Sequence, residues 1–387
     1  MTTMRMFSTI PAALLPIVLA AGCGDTTTGG GGTIQITASG EVLALGGYPF
    51  PPAQADDPAF VDGWEVTFDE VIAVIDEVRI HEGPDSSPSD QSKVGPQVAH
   101  LDGPWAVDLH KGGPLAGKGG TDEQAVALGT IANQNDNGGK PFDETLRYAF
   151  GFDLVAASDA ATKVNLDAQG MADYAEMVKN GWSVLYVGTA TWKGGSCTTT
   201  NPAYDFKALP TTVKFRFGFK TPTTYVNCQN PENDPAAPLG SDEHQRGVQV
   251  RANTTTVAQV TVHTDHPFWE SVEHEAAPHF DALAARAKKV GSDWVVTLDD
   301  VKGDNFTALT DGAGAMIPWR SCLAGYTPPT MSASMGYEAK GIPYLPNGDP
   351  STGLRDLADY MAYNQSTQGH LNADGLCFVT RNYPSPR

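Results

Sequence analysis

The sequence predicts a mainly β protein of the α+β class, with antiparallel β-sandwich-like subdomains and a few short helices in the C-terminal half. Apolar and polar side chains alternate in short runs, as in "TVKFRFGF" at residues 212–219, which is the pattern of a half-buried strand. The 41 glycines and 28 prolines supply many turns between such runs. Most runs follow one another without an intervening helix, which favours antiparallel sandwiches over a parallel sheet.

The first 22 residues predict a secretory signal peptide. Arg5 is followed by an apolar run from Pro11 to Gly22 that ends in small residues, which is the usual order of charged start, apolar centre and cleavage site. The run is too short to span a bilayer, which takes about 20 residues. We therefore expect residues 1–22 to be removed from the mature chain.

The end of this segment, "LAAGC" at residues 19–23, resembles the lipobox of bacterial lipoproteins, although Ala20 stands where that pattern usually has leucine. The resemblance implies that Cys23 is lipidated and that residues 23–32 form a lipidated flexible stalk on a membrane. In some lipoproteins an aspartate directly after the cysteine causes retention at the inner membrane. Gly24 stands there in this chain, so the resemblance favours the outer membrane. The alternative is an ordinary secretory signal that happens to contain a cysteine.

The mature chain of about 360 residues is longer than one hydrophobic core usually supports. This predicts an N-terminal β-rich domain at 33–165 and a C-terminal β-rich domain at 166–387. In "GWEVTFDEVIAVIDEVRI" at 63–80 the alternation runs twice, with a break that predicts a bulge or a turn. Further strands are expected at residues 33–45, 104–109, 145–155, 182–192, 212–219, 247–251 and 257–263.

Helices are expected at about 171–179, 267–289 and 353–363. At the first, apolar residues from Met171 to Val178 recur at helical spacing, and Gly181 ends the pattern. At the second, Pro267 suits the first helical position, Pro278 predicts a kink, and apolar residues then recur at helical spacing at Phe280, Leu283, Ala284 and Ala287. At the third, apolar residues again recur at helical spacing.

Four cysteines remain beyond Cys23, and an even number in an exported chain predicts disulfides. Three pairings can be drawn. Because neighbours in sequence close the smaller loops, we expect Cys197–Cys228 and Cys322–Cys377. None of the four has C-x-x-C spacing, which argues against a thiolate zinc site.

The formal net charge of −20 disfavours several kinds of partner. An acidic surface repels phosphate backbones, which argues against nucleic acid and against binding of the protein body to anionic lipid. The sequence contains no Walker loop and no G-x-S-x-G nucleophile elbow, and no G-x-G-x-x-G follows a predicted strand. We therefore expect a binding protein rather than an enzyme, and we assign no catalytic residue.

Four of the nine histidines lie in "TVHTDHPFWESVEHEAAPHF" at residues 261–280, where a predicted strand meets a predicted helix. His263 and Asp265 share a face of the strand, and Glu270 and His274 share a face of the helix. Imidazoles and carboxylates that converge at such a turn are the ligands of Zn²⁺ and Cu²⁺. The sequence therefore predicts a Cu or Zn site made by His263, His266 and His274, with Asp265 or Glu270 as the carboxylate or as an orienting partner.

The same histidines also have an architectural interpretation. His266 would flank a helix cap, His263 would bond to a neighbouring strand, and His274 would face water. The stretch lacks a specific metal motif such as H-E-x-x-H. The sequence leaves both interpretations open.

Two polar loops carry further hypotheses. "NQNDNGGKPFDE" at 133–144 has side chains at EF-hand-like spacing, but Lys140 and Pro141 disturb the pattern, and a hairpin loop rich in Asn and Gly has the same composition. "NQSTQGHLNADGLC" at 364–377 contains serine, histidine and aspartate, which lie too close in sequence for a catalytic triad. The alternative is a polar loop that satisfies its own backbone, with His370 as a distant ligand for the predicted metal site.

The sequence as a whole predicts a lipid-anchored cell-envelope binding protein that binds a transition metal. The combination of a lipobox, predicted sandwiches and histidine–acid clusters is similar in general terms to periplasmic copper-binding lipoproteins, such as those that accompany methanobactin uptake. That similarity has no aligned motif and implies no ligand residues. The alternative is a structural or adhesive envelope module that binds a protein or a glycan and no metal.

Overall fold

The computed structural model describes most of the chain between residues 31 and 386. Strands dominate this part and helices are few, which confirms the predicted mainly β, α+β class. The predicted signal peptide, Cys23 and His274 lie outside the described residues. The residues outside the description are 1–30, 56, 88, 200–201, 234–243, 272–275, 307–309, 311–312, 316–317, 327–341 and 387.

The strands predicted from the sequence are present in the described residues, except that the first ends early, where a short helix begins. Several other strands, including those at Gln97–Leu101, Gln124–Ile131 and Thr223–Val226, were not predicted. The strands are β1 (Thr33–Ser39), β2 (Trp64–His81), β3 (Gln97–Leu101), β4 (Trp105–Asp108), β5 (Leu115–Ala116), β6 (Gln124–Ile131), β7 (Arg147–Leu154), β8 (Thr162–Val164), β9 (Val184–Trp192), β10 (Thr198–Thr199), β11 (Thr212–Phe219), β12 (Thr223–Val226), β13 (Val248–Gln249), β14 (Thr255–Val262), β15 (Lys288–Val290), β16 (Asp293–Thr297), β17 (Arg320–Ser321), β18 (Gly369–Leu371), β19 (Gly375–Leu376) and β20 (Phe378–Arg381). The α-helices are α1 (Glu41–Gly46), α2 (Ala168–Asn180), α3 (Asp281–Ala284) and α4 (Leu357–Gln365), and 3-10 helices span Leu109–Lys111, Phe206–Ala208, His266–Phe268 and Leu298–Val301.

A six-stranded sheet has the order β19-β18-β14-β1-β6-β5. Its pair β1 and β14 is parallel, with Thr33 opposite Thr255 and Ser39 opposite Thr261. The pairs β11–β16 and β4–β8 are parallel as well, so the sheets are mixed rather than purely antiparallel as predicted. A parallel pair places the carboxyl ends of both strands at the same edge, and this brings remote residues together there.

A twelve-stranded sheet is arranged around β2, the longest strand. Its main order is β15-β16-β11-β9-β2-β7-β12-β20, with β3 and β4 on β2, β8 on β4 and β13 on β7. The register of β2 with β9 shifts between Phe68 and Glu70, so the break in the predicted alternation is a bulge and not a turn. The single strand therefore pairs with β9 at its start and with β7 at its end.

The predicted domain boundary at 165/166 does not separate two sheets in the described residues. From the first half, β1 pairs with β14 and β2 pairs with β9. Buried apolar side chains from both halves also form one large cluster, to which Ile36, Trp64, Phe150, Phe215 and Val260 belong. Because neighbouring strands come from distant parts of the chain, each of the two large sheets contains strands from both halves.

In the described residues, the chain does not form the long helix predicted at 267–289. The chain instead makes a 3-10 turn at His266–Phe268, a return across a bridge between Trp269 and Pro278, the short α3 and then β15. Burial explains the difference, because this return places both Phe268 and Phe280 in the core. Helix α2 covers the segment predicted at 171–179, and α4 overlaps the segment predicted at 353–363 from Leu357 onwards. None of the helices in the described part is long and apolar enough to cross a membrane.

Four cysteines form two disulfides, but the pairing expected from sequence proximity is wrong. The bonds are Cys197–Cys322 and Cys228–Cys377, which join positions 125 and 149 residues apart. The sheets set this pairing. Thr198 pairs with Ser321 next to the first bond, and Gln229 N donates to Leu376 O at 2.8 Å next to the second.

Candidate metal centre

The candidate site lies where the carboxyl ends of β1 and β14 meet the short strand β18. Strand pairing places Ser39, Thr261 and His370 in one row across these three strands. Residues directly opposite each other, and those two further along a strand, share a face of a sheet. Glu41 and His263 each follow that row by two residues, so they come to the same edge as His370.

Three imidazoles meet at this edge, and we call His263, His266 and His370 the histidine cluster. The rings of His263 and His370 are stacked with centroids 4.1 Å apart, and the ring of His266 lies edge-on at 5.4 Å and 5.5 Å from them. His266 and His370 are each 1% exposed, whereas His263 is half-buried. One nitrogen of each ring lies within 4.8 Å of a nitrogen of the other two.

Hydrogen bonds set the tautomer of His266. Thr367 Oγ1 donates its single proton to Asn364 O at 2.7 Å, so it accepts from His266 Nδ1, also at 2.7 Å. With Nδ1 protonated, Nε2 of the neutral ring carries the lone pair that a metal requires. Trp269 stacks on this ring with centroids 3.7 Å apart, which fixes its plane. Thr367 is thus the kind of orienting partner that metal-binding histidines have.

The spacing of the cluster suits a transition metal. Nitrogens bound to Zn²⁺ at about 2.0 Å in a tetrahedron are roughly 3.3 Å apart. The ligand atoms of the cluster lie within 4.8 Å of one another, so ring movements of about 1 Å would close the site. Imidazole nitrogen is a good ligand for both Zn and Cu, which keeps both metals as candidates.

Two carboxylates adjoin the cluster on its solvent side. Glu41 Oε1 is 3.4 Å from His263 Nε2, and Glu41, His263 and Asp374 each place a ligand atom within 4.8 Å of the other two. Asp374 is exposed, and the side chains of Glu41 and His263 are 15% and 13% exposed. Exposure therefore decreases from Asp374 through Glu41 and His263 to the buried His266 and His370.

A tight turn between β18 and β19 presents Asp374. Asn372 and Ala373 adopt left-handed backbone angles, with φ of 50° and 68°, and Ala373 N donates to Thr261 Oγ1 at 3.0 Å. Gly375 ends the turn, where a Cβ would stand 2.2 Å from a backbone oxygen of the neighbouring segment. The Cys228–Cys377 bond fastens the chain two residues later.

The charged groups at this edge of the sheet shift one another's pKa values. Burial raises the pKa of Glu41 to about 7, and the carboxylates of Asp374, Glu123 and Asp265 act in the same direction, while His263 opposes them. Burial lowers the pKa of His263, but Glu41, Asp265 and Asp374 outweigh it, so the pKa lies above its ordinary value. The carboxylates therefore make this edge a region of negative potential around His263.

The structure brings together two of the residues predicted as ligands and gives other contacts to two more. His263 and His266 meet in the cluster. Asp265 accepts a hydrogen bond from Trp269 Nε1 at 3.0 Å, and its carboxylate acts on His263 through its charge. Glu270 Oε2 lies 2.8 Å from His279 Nε2 and therefore belongs to a different set of charges. His274 lies outside the described residues.

A second buried group, which we call the charge network, consists of Asp62, Glu270, His279, Asp281 and Arg320. His279 Nε2 is 2.8 Å from Glu270 and its Nδ1 is 3.7 Å from Asp62. Burial lowers the pKa of His279, but the two carboxylates outweigh it and raise the pKa to about 9. His279 is therefore a buried imidazolium, which does not coordinate a metal.

The rest of the charge network is equally well paired. Asp62 Oδ2 accepts from the backbone N–H groups of Phe280 and Asp281, both at 2.6 Å. Arg320 Nε and Nη2 lie 2.9 Å and 3.0 Å from the two carboxylate oxygens of Asp281, which also accepts from Trp64 Nε1 at 2.9 Å. Such pairing is what holds buried charges in place.

His370 was predicted from the sequence as a distant ligand, but Glu41 was not. Nothing in the sequence around Glu41 indicates that β1 pairs in parallel with β14. The polar loop at 364–377 does not assemble a triad, since Ser366 donates to Tyr363 O at 2.6 Å and accepts from Arg381 Nε at 2.7 Å. The loop at 133–144 is a hairpin, closed by a bridge between Gln134 and Lys140.

Comparison of the chain with models of protein families, with curated proteins and with solved structures gives no match. The case for function therefore depends on the geometry of the chain itself.

Proposed function

We propose that this protein is a lipid-anchored binding protein of the cell envelope that binds a transition metal ion, Cu or Zn, at the histidine cluster. The observation that carries the proposal is the convergence of three imidazoles from two segments about 100 residues apart, two of the rings being 1% exposed. Imidazole nitrogens are good ligands of Zn²⁺ and Cu²⁺, and a single ion in the cluster would contact all three rings. The tautomer of His266, set by Thr367, adds a nitrogen lone pair in a fixed position.

Support for the cell envelope comes from the sequence and from the two disulfides. The lipobox-like "LAAGC" supports an anchor on Cys23, and disulfides are typical of oxidising compartments. The absence of aspartate directly after Cys23 favours the outer membrane. The acidic charge supports attraction of cations and argues against a nucleic-acid partner.

The test uses the mature chain, purified without a tag, and the variants H266Q/H370Q and H81Q/H100Q. We expect the unmodified chain to bind one equivalent of Zn²⁺ or Cu²⁺ by elemental analysis and to melt at a higher temperature with metal, because binding to the folded state alone stabilises it. H266Q/H370Q should lose at least 100-fold in affinity. H81Q/H100Q replaces two histidines outside the cluster and should bind like the unmodified chain.

Two results would contradict the proposal. A folded chain that binds no stoichiometric metal, and whose melting temperature metal does not raise, would refute the proposal. Equal loss of affinity in both variants would also refute the assignment to the cluster. The architectural interpretation would then hold, with a protein or glycan as the ligand of the envelope module.

A further inference from the structure

We propose that Glu41, Asp374 and His263 form a second, outer cation position, which holds a metal ion on its way from solvent to the histidine cluster. The inference rests on the proposed function for its role in metal delivery, although the outer position itself can be tested independently.

Geometry separates the outer position from the cluster. Ligand atoms of Glu41, His263 and Asp374 lie within 4.8 Å of one another, as do those of the three imidazoles, and only His263 belongs to both groups. The exposed Asp374 lies at the solvent end of the outer position, and the less exposed His263 is the residue shared with the histidine cluster. An ion at the outer position therefore already contacts one ligand of the inner site.

Glu41 is held at this position by a backbone that most residues avoid. Its φ is 60°, in the left-handed region that is costly for a residue with a Cβ. Its N–H donates to Ser39 Oγ at 3.0 Å, which fixes the conformation as β1 turns into α1. Backbone conformations of this kind persist where surrounding structure enforces them, and they concentrate at functional sites.

The charge around Glu41 favours a cation. The carboxylates of Asp374, Glu123 and Asp265 all act on Glu41, and the group that opposes them is the imidazole of His263. A half-buried carboxylate among other carboxylates is unfavourable, and a divalent ion would relieve the repulsion. Two carboxylates and one imidazole make a harder ligand set than three imidazoles, so the outer position should accept Mn²⁺ as well as Zn²⁺.

The first experiment titrates metal-free protein with Mn²⁺ and measures free Mn²⁺ by electron paramagnetic resonance. We expect one equivalent to bind, and we expect E41Q/D374N to weaken that binding at least 10-fold. The matched control is E77Q/D299N, which removes the same charges at exposed positions, 51% and 81% exposed, and should bind Mn²⁺ normally. H266Q/H370Q should keep Mn²⁺ binding while it loses Zn²⁺.

The second experiment measures Zn²⁺ uptake by stopped flow. Carboxylates at the entrance should speed association, so E41Q/D374N should slow it about 10-fold while the inner site still fills. Zn²⁺ binding with unchanged rate and no Mn²⁺ site in the unmodified chain would overturn the outer position and leave the proposed function intact. Mn²⁺ binding that depends on Glu41 and Asp374, without any tight Zn²⁺ site, would keep the outer position and overturn the proposed function.

Discussion

The histidine cluster and the charge network use the same residue types from overlapping stretches of chain, yet they differ in how each side chain is paired. In the charge network, the imidazolium of His279 and the guanidinium of Arg320 each face a carboxylate within 3 Å. In the histidine cluster, imidazoles face one another, with ring centroids 4.1 Å to 5.5 Å apart. Each cation of the charge network therefore has a carboxylate partner, whereas the histidine cluster places imidazole nitrogens within 4.8 Å of one another, as ligands of a shared metal ion must be.

Trp269 stands between the two groups. Its ring stacks on His266, its backbone bridges to Pro278 next to His279, and its indole N–H reaches Asp265. The turn at 266–280 therefore serves both groups from one short segment. Histidines and acids that are close together occur in both groups, so residue type alone does not distinguish a structural site from a binding site, whereas the partners of each side chain do.

The largest effect should come from the charge network. Replacing Asp281 with alanine leaves Arg320 buried without its carboxylate and removes the acceptor of Trp64 Nε1. We expect the free energy of unfolding to fall by about 3–5 kcal/mol, as measured by denaturant titration. The control D293A removes an exposed carboxylate and should leave the unfolding midpoint nearly unchanged. Metal affinity of the folded D281A protein should match that of the unmodified chain, and a loss under 1 kcal/mol would contradict the assigned pairing.

The next effect is the pH dependence of the stability that His279 contributes. Its pKa of about 9 lies above its ordinary 6.5, so its ionic contacts stabilise the fold fully below pH 6.5 and are lost as pH rises through 9. The difference in unfolding free energy between the unmodified chain and H279Q should therefore shrink by about 3 kcal/mol between pH 6 and pH 9.5. Denaturant titration across that range measures it. A constant difference would mean that His279 is not charged in the fold.

Local patterns in the sequence predicted several of the strands and two helices, because alternation and helical spacing act over short distances, whereas strands such as β3, β6 and β12 were missed. In β2 the break in alternation predicted a bulge or a turn, and the structure has a bulge between Phe68 and Glu70. In the turn after β14, however, helical spacing at Phe280, Leu283 and Ala284 predicted a long helix where α3 has a single turn. There the burial of Phe268 and Phe280 on the same core outweighed local spacing.

Long-range pairing could not be read from the sequence, and the site depends on it. His263 and His266 were predicted ligands because they are near each other in the chain. Glu41 joined them only through the parallel register of β1 with β14, and His370 through the pairing of Thr261 with β18. The wrong disulfide pairing has the same cause, since distance along the chain was used where the sheet order decides.

A smaller effect is expected on metal affinity when Thr367, which orients His266, is replaced. T367V removes the acceptor that keeps the proton on His266 Nδ1, so the metal-ready tautomer loses its support. Changes to such orienting partners weaken metal affinity by about 10–100-fold. The matched control is T254V, because Thr254 Oγ1 also donates to the carbonyl three residues earlier but lies outside the cluster. Competition with a chelator measures both affinities, and equal values would show that Thr367 does not orient a ligand.

The smallest effect concerns a histidine–acid pair at the surface. His100 Nδ1 is 2.8 Å from Asp136 and its side chain is 33% exposed. The hydrogen bond that the His100 ring donates to the Asp136 carboxylate raises the pKa of His100. Solvent screens the pair, so H100Q should change the unfolding free energy by less than about 0.5 kcal/mol and leave metal affinity unchanged. Denaturant and metal titrations of the same sample measure both. If H100Q weakened metal binding as much as H266Q/H370Q, proximity of histidine to acid would suffice to bind the ion, and the distinction drawn from buried pairing would fail.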